Sequence, residues 1–313
     1  RGIKEFILKM PSLVKEARRA ADDCDCILYR VAQLESFLVY IFNKKKKTPF
    51  ALEVVNDPSA WNMNFFVKMI SCHYLKSMCI RANGVAYVTK EYLQKKYPQK
   101  SQNAFSASYS TVDIESKYIV PYQEYSVKQN FRLVHVANLI DGFDKGHDTV
   151  LSVIRCLVCD GYNTEIVFVG DGPGTDTFKQ MAKEFGIDDH VFFTGRITNK
   201  DDYMNCLKES DAFIFPSHTE GLPRVIIEAM ASGLPCIASP VGGTSELIDD
   251  WCLVDYNNVN GYVEAIKKLI HDTDLYNKTR KRNIEKSKEF AREVLTAKRN
   301  LFYQELNNSV KEK

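Results

Sequence analysis

Apolar residues recur along this chain in two alternating rhythms. Ile3, Phe6, Ile7, Met10, Leu13, Val14 and Ala17 fall three or four positions apart, so residues 1–21 are expected to form a helix that Pro11 kinks or splits. Short apolar runs at 26–31, 50–55 and 85–89 read as strands, with a helical stretch at 64–82 between the last two. From 100 to 130 the rhythm fails, and Ser101, Asn103, Ser106, Ser108, Ser110, Pro121 and Gln129 mark loops and a crossing segment. After Asn130 the alternation is regular. Strands at 131–137, 165–169, 191–193 and 212–215 precede helices at 148–159, 175–185, 200–209 and 223–231. A strand at 236–239 follows, then a short strand at 252–254 leading into a helix at 259–271. The charged stretch from 274 to about 308 reads as a mostly solvated helix pair.

Strands alternating with helices imply an α/β protein whose parallel sheets are covered on both faces. At about 150 residues per domain, 313 residues suit two domains. The expected division is 1–125, 126–273 and a helical tail at 274–313 that packs back toward the first domain. With 45% hydrophobic and 26% charged residues the chain is neither disordered nor a rod. No apolar run approaches the roughly 18 residues of a transmembrane helix.

The net charge of +2 conceals an asymmetry. Residues 1–120 hold 19 Lys/Arg against 11 Asp/Glu, and the remainder 23 against 29. A basic first half suggests an anionic partner, a membrane surface or a phosphorylated acceptor. No nucleic-acid recognition motif accompanies the charge. Nine cysteines are an odd number, which fits buried thiols in a reducing cytoplasm. Cys156 and Cys159 lack the second ligand pair a zinc site needs, and Cys24 and Cys26 likewise.

The chemistry concentrates in residues 215–235. This segment leaves a strand at Pro216, turns through Ser217 to Gly221 and enters a helix near Pro223, where proline suits the first turn. The free amides and dipole of such a turn favour an anion such as a diphosphate. Glu228, beside Val225, Ile226 and Ile227, needs hydrogen-bond donors, which sugar hydroxyls or a surface pair with Arg224 would supply.

Ser217, Glu220, Gly221, Pro223, Glu228, Ala229, Met230, Ala231, Gly233 and Pro235 together resemble the signature of the retaining glycosyltransferases of family 4, of bacterial polysaccharide type. The similarity runs from about Phe131 to His271. It implies a GT-B fold of two Rossmann-like domains, the second a doubly wound parallel sheet. It implies that Glu220 and the Gly221 and Leu222 amides hold the donor sugar, and that Glu228 holds the ribose of a nucleoside diphosphate. Lys145 with Gly146 matches the family's diphosphate-facing Lys-Gly pair; a solvated loop lysine is the plainer reading. The family's arginine at the end of the preceding strand is replaced here by Asn138, so Arg196 or a cation of the first domain must assist. By the same resemblance Gly170 and Gly172 form a tight turn near the nucleotide, the Arg196 region faces the base, and Gly243 and Thr244 complete the phosphate side. The order Gly-Asp-Gly-Pro-Gly at 170–174 does not give a dinucleotide fingerprint.

The family's first domain binds the acceptor, and its Gly-rich donor loop would lie upstream of Arg1, so the chain is expected to begin after the first strand-helix units. Acceptor-side candidates are Arg30, Glu53, Asn56, Asp57 and Thr89, with loop capping the alternative for Glu53, Asn56 and Asp57. His73 reads as structural. Lys44 to Lys47 is either a solvated turn between helix and strand or a contact with anionic lipid, with the basic face of residues 1–19 cooperating. The reading is a retaining hexosyl- or N-acetylhexosaminyl-type transferase, cytoplasmic and peripheral on the inner membrane face. It would take a sugar nucleotide and a saccharide or lipid-linked saccharide, with no cofactor or metal. The alternatives are a sugar-nucleotide-binding module with little turnover and an epimerase of the same architecture.

Overall fold

The computed structural model describes residues 3–311 apart from 23, 32, 33, 62, 102, 103, 127, 129 and 141. Asn103, Gln129 and the side chains of Ile3, Lys4, Phe6, Ile7, Lys45 and Lys46 lie outside the described residues. The chain divides into two compact units, Arg1–Thr111 with Leu295–Lys313, and Val112–Val294.

The first unit carries α1 (Ile3–Asp22), β1 (Ile27–Val31), α2 (Leu34–Lys46), β2 (Phe50–Val54), α3 (Phe65–Arg81), β3 (Gly84–Tyr87), α4 (Tyr92–Lys96) and β4 (Phe105–Ser108). The strands pair in the order β1-β2-β3-β4, all parallel. Every residue of β2 is buried, as a central parallel strand covered on both faces requires. Pro11 lies inside α1 without splitting it. β4 falls where only loops were expected, because its sequence Phe-Ser-Ala-Ser has one large apolar residue. α11 (Arg292–Lys311) joins this unit from Leu295 onward, with the Phe302 ring 5.0 Å from Phe105 and 5.9 Å from Tyr109.

The second unit starts at Val112, ahead of the boundary expected near 125. Ile114 bridges to Ala291, the Val120 N–H donates to the Ala231 carbonyl, and the Tyr118 hydroxyl donates to Asp201, so this stretch is built into the unit. It continues through β5 (Phe131–Leu139), α5 (His147–Cys159), β6 (Thr164–Asp171), α6 (Thr175–Glu184), β7 (Val191–Gly195) and α7 (Lys200–Lys208). β8 (Ala212–Phe215), α8 (Arg224–Ala231), β9 (Cys236–Ala238), α9 (Val259–His271) and α10 (Thr273–Ser287) complete it. The order β7-β6-β5-β8-β9, all parallel, reverses direction between β5 and β8. Right-handed crossovers then put α5 and α6 on one face and α7 and α8 on the other. Leu133, Ile154, Ile166, Phe168, Ile214, Ile237 and Ile266 belong to the core that packs the sheet against α5, α6 and α9.

Two expectations for this unit need correction. The strand expected at 252–254 is a short 3-10 turn, Asp250–Cys252, followed by a single bridge from Leu253 to Ala238. α10 is not mostly solvated: it buries Tyr276, Thr279, Asn283, Ile284 and Ser287. The Tyr276 hydroxyl and Asn283 amide donate to the Asp211 and Leu234 carbonyls, so its inner face is tied by polar groups that a hydrophobic pattern does not register.

Candidate active site

Two loops meet at the carboxyl edge of the second sheet, between β5 and β8, where a doubly wound sheet offers its ligand crevice. Gly146, at the head of α5, takes φ +72, and a Cβ there would overlap the Pro216 carbonyl oxygen; glycine is what allows the loops this close. The His218 N–H donates to the Asp144 carbonyl at 2.9 Å and holds them together. The Lys145 ammonium thereby stands 2.5 Å from Glu220 Oε1, which also accepts from Ser217 Oγ at 2.9 Å. The two side chains are 34% and 16% exposed. A partly desolvated cation and a carboxylate with a second oxygen to offer suit an anion and sugar hydroxyls respectively.

The loop after β8 is braced from β9. The Gly243 N–H donates to the Gly221 carbonyl at 2.6 Å, and Ser239 Oγ donates to the Ser217 carbonyl. Among the described residues no backbone carbonyl takes the Gly221 or Leu222 N–H. Pro223 occupies the N-cap position of α8 with φ −70 and ψ 109, one residue before the helix, and Leu222 beside it is buried. Gly243 thus supports the motif loop through its backbone, while Thr244 is 1% exposed with its hydroxyl buried and unpartnered.

A cavity of about 210 Å³ brings Asn138 and Glu228 together, with Asn199, Lys200, Tyr203 and Arg224. Glu228 is held from α7: Lys200 Nζ lies 2.7 Å from Oε1, and the Tyr203 hydroxyl donates to Oε2 at 2.8 Å. Burial and the Glu228 charge hold the Tyr203 hydroxyl well above its ordinary pKa, so it remains a donor. The exposed Arg196 places Nη2 3.4 Å from the Asn138 carbonyl oxygen, which sets a guanidinium at the strand end where the asparagine carries no charge. Gly170, at φ +137, and Gly172 press their backbones against Ala137 and Ile140, so they shape the exit of β5.

The acceptor-side candidates of the first unit fare differently. Asp57 is buried and accepts from Ser59 N, the Tyr92 and Tyr97 hydroxyls and Lys96 Nζ. Burial opposes its ionisation, but these donors outweigh it and hold the carboxyl at about 2. With its lone pairs taken, Asp57 ties the β2 exit to α4 and is not free to meet an acceptor. Thr89, 1% exposed, accepts the Leu93 N–H and donates to Gln94, which is a cap for α4. Glu53 is buried and accepts from the Tyr109 and Tyr303 hydroxyls on one oxygen. Asn56 is half-buried after β2, and Arg30 is exposed on the edge strand β1.

A family model described as glycosyl transferases group 1 matches residues 125–290, more than half of the 313. The chain belongs to the group 1 glycosyltransferases. It is 30% identical over 291 residues to protein CapJ of Staphylococcus aureus, covering 91% of this chain and 72% of CapJ. It is 31% identical over 140 residues to a GDP-mannose-dependent alpha-(1-6)-phosphatidylinositol monomannoside mannosyltransferase of Mycobacterium tuberculosis, with 42% of this chain and 36% of the relative covered. Its fold is GT-B, similar to that of a sucrose-phosphate synthase from Thermosynechococcus elongatus (TM-score 0.76, 16% identity, 99% of this chain and 81% of that one).

Lys200 and Tyr203 belong to the glycosyltransferase's site geometry although no sequence motif marks them, and Ser217 of the signature adds its hydroxyl to Glu220. Asn199 caps α7 through bonds to the Asp201 and Asp202 N–H groups, and that cap fixes the turn presenting Lys200 and Tyr203. A Lys and a Tyr three apart on one helix face were the available signal, but nothing local names Glu228 as their partner.

Proposed function

We propose that the protein is a retaining transferase of family 4 that moves a hexosyl or N-acetylhexosaminyl group from a nucleotide-diphosphate sugar to a saccharide or lipid-linked saccharide. The observation that carries this reading is the cluster of Lys145, Ser217 and Glu220 at the β5/β8 crevice, beside the cavity that Glu228 and Asn138 share. The donor lies along residues 131–271. Glu228 takes the ribose hydroxyls, Glu220 orients the sugar, and Lys145 faces the diphosphate.

As the bond from the anomeric carbon to the phosphate oxygen breaks, positive charge spreads over the sugar ring and negative charge collects on the diphosphate. Lys145, the Arg196 guanidinium and the amides ahead of α8 stabilise that negative charge. No free nucleophile stands in the motif, so the acceptor hydroxyl attacks from the departing side and gives its proton to the leaving phosphate oxygen. Arg196 replaces the family's missing strand-end arginine, a reading supported by its place against the Asn138 carbonyl. The sugar-dependent activity named for the mycobacterial relative, and its lipid acceptor, support the donor and acceptor classes.

The test is a panel of UDP-, GDP- and ADP-sugars scored by calorimetric binding and donor hydrolysis. One donor should bind and release its nucleotide slowly, and a Lys145→Ala variant should lose release more than binding. Tight binding with no release from any donor would leave the binding module in place of the enzyme.

A further inference from the structure

Residues 58–90 contain no Asp or Glu but carry Lys68, Lys76, Arg81 and Lys90. α3 runs through this stretch, and its first turns hold apolar side chains in solvent: Phe65 is 71% exposed, Phe66 65%, Met69 51% and Ile70 52%. Met63, just ahead, is 51% exposed. The helix end is ordered, because Asn64 Oδ1 caps it by accepting the Phe66 N–H at 2.9 Å. The opposite face buries Ser71, Leu75, Met78 and Cys79, which fixes the helix on its sheet. The Phe65 and Phe66 rings meet each other edge-on at 5.9 Å. Scattered single apolar residues are ordinary on a protein surface, whereas five within eight positions form a patch that a partner covers.

We propose that the start of α3 is a membrane anchor, with Phe65, Phe66, Met69 and Ile70 entering the interfacial layer of an anionic bilayer and Lys68 among its headgroups. Charge complementarity selects the occupant. A second copy would bring two acid-free, cationic helices face to face, while anionic lipid neutralises them. The position fits as well. α3 returns antiparallel to the strands it connects, so its N-terminus lies at the carboxyl edge of the first sheet, where parallel sheets take ligands. A bilayer there would present a lipid-borne acceptor to that edge; this last point rests on the proposed function, and the anchoring does not.

The lysines at 44–47 lie elsewhere. Residues 44–46 end α2 and Lys47 follows it ahead of β2, at the amino edge of the sheet, where Lys44, Lys47 and Arg81 line one small cavity. The length of α3, about 24 Å, separates that cavity from the apolar patch. Lys44 Nζ is also engaged over the Tyr40 and Tyr74 rings, at 5.3 and 5.5 Å.

The experiment is co-sedimentation of the full chain with vesicles of phosphatidylcholine, alone or mixed with phosphatidylglycerol. The wild type should pellet with the mixed vesicles and poorly with the neutral ones. A Phe65→Ser/Phe66→Ser variant should lose at least about tenfold in vesicle affinity, and a Lys44→Gln/Lys47→Gln variant less. The substitutions lie in the first unit, so an unchanged far-ultraviolet circular dichroism spectrum and thermal midpoint of that unit should accompany both variants and certify that it is folded. Equal pelleting of the phenylalanine variant overturns the anchor. So does self-association of the wild type that this variant abolishes, which would make the patch an interface between copies. Vesicle binding without sugar transfer would fault the proposed function and leave the anchor standing.

Discussion

Glu228 holds both its oxygens in bonds from α7, which gives its removal two separable effects. Glu228→Ala should weaken nucleoside-diphosphate binding by roughly ten- to a hundred-fold, the loss of a charged hydrogen bond to ribose worth about 1.5–3 kcal/mol. It should also lower thermal stability, because the Tyr203 hydroxyl loses its acceptor. Adding Tyr203→Phe should recover stability without recovering affinity, and unchanged calorimetric affinity in Glu228→Ala would sink the ribose assignment. Asn138 makes a second case. With Arg196 already against its carbonyl, Asn138→Arg alone should gain little, because like charges at close range repel. Arg196→Ala should weaken diphosphate binding, and the double variant should restore it. If none of the three alters affinity, neither residue faces the phosphates. Glu220, Glu228 and Lys145 were legible because they sit in a contiguous motif or beside an unusual glycine. Asp57 was legible only in part: its loop-capping role holds, since it accepts the Ser59 N–H ahead of the 58–60 turn, but its donors from Tyr92, Lys96 and Tyr97, some 40 positions on, leave no local trace in sequence.

At the scale of elements, strands buried on both faces announce themselves as apolar runs, unbroken in β6 and β8, interrupted by Glu53 in β2 and by Arg132 and His135 in β5, and all four were readable. β4 escaped because its pairing with β3 is made by the backbone, and serines serve as well as valines on a strand with no fully buried side chain. The junction of α5 with the loop after β8 is likewise a backbone event, and it tests whether the site depends on element placement. Gly146→Ala puts a Cβ into the Pro216 carbonyl at a left-handed φ, a penalty of at least about 1–2 kcal/mol before the clash is counted. The loops should part, Lys145 should leave Glu220, and donor binding should fall although no ligand-facing side chain has changed. The check is to measure thermal midpoint and nucleotide affinity together. A stable variant with wild-type affinity would mean that the loop contact does not position Lys145.

Across the whole molecule the two units carry opposite kinds of buried titratable group, and acid should separate them. In the second unit His147 lies in the core, stacked against Phe168 and Phe178, 4.6 Å from the His135 ring, with neither nitrogen bonded. Burial, then the nearby Lys145 charge, lowers its pKa to about 4 from the ordinary 6.5. Burial and the charge of His147 push His135 well down too, although its Nδ1 meets the Ile214 carbonyl. Between pH 6.5 and about 4 the unfolded chain therefore binds protons that the folded unit refuses, and stability falls as pH falls through that window. His147 alone accounts for about 2 kcal/mol of loss by about pH 5. Asp57 in the first unit has the same sign but a lower window: held at about 2 against 3.8, it stays ionised between pH 6.5 and about 4 and loses its contribution only as pH falls from 3.8 toward 2. The two tryptophans report the units separately, Trp61 in the first and Trp251 in the second. In a Trp61→Phe background, melting followed by Trp251 should drop by about 4–8 °C between about pH 7.5 and about pH 5. In a Trp251→Phe background, the midpoint reported by Trp61 should move less. His147→Phe keeps a ring against Phe168 and Phe178 but has no proton to refuse, and should flatten much of the first response. Equal shifts at both tryptophans, unaltered by His147→Phe, would show that the acid sensitivity arises outside the buried histidine pair.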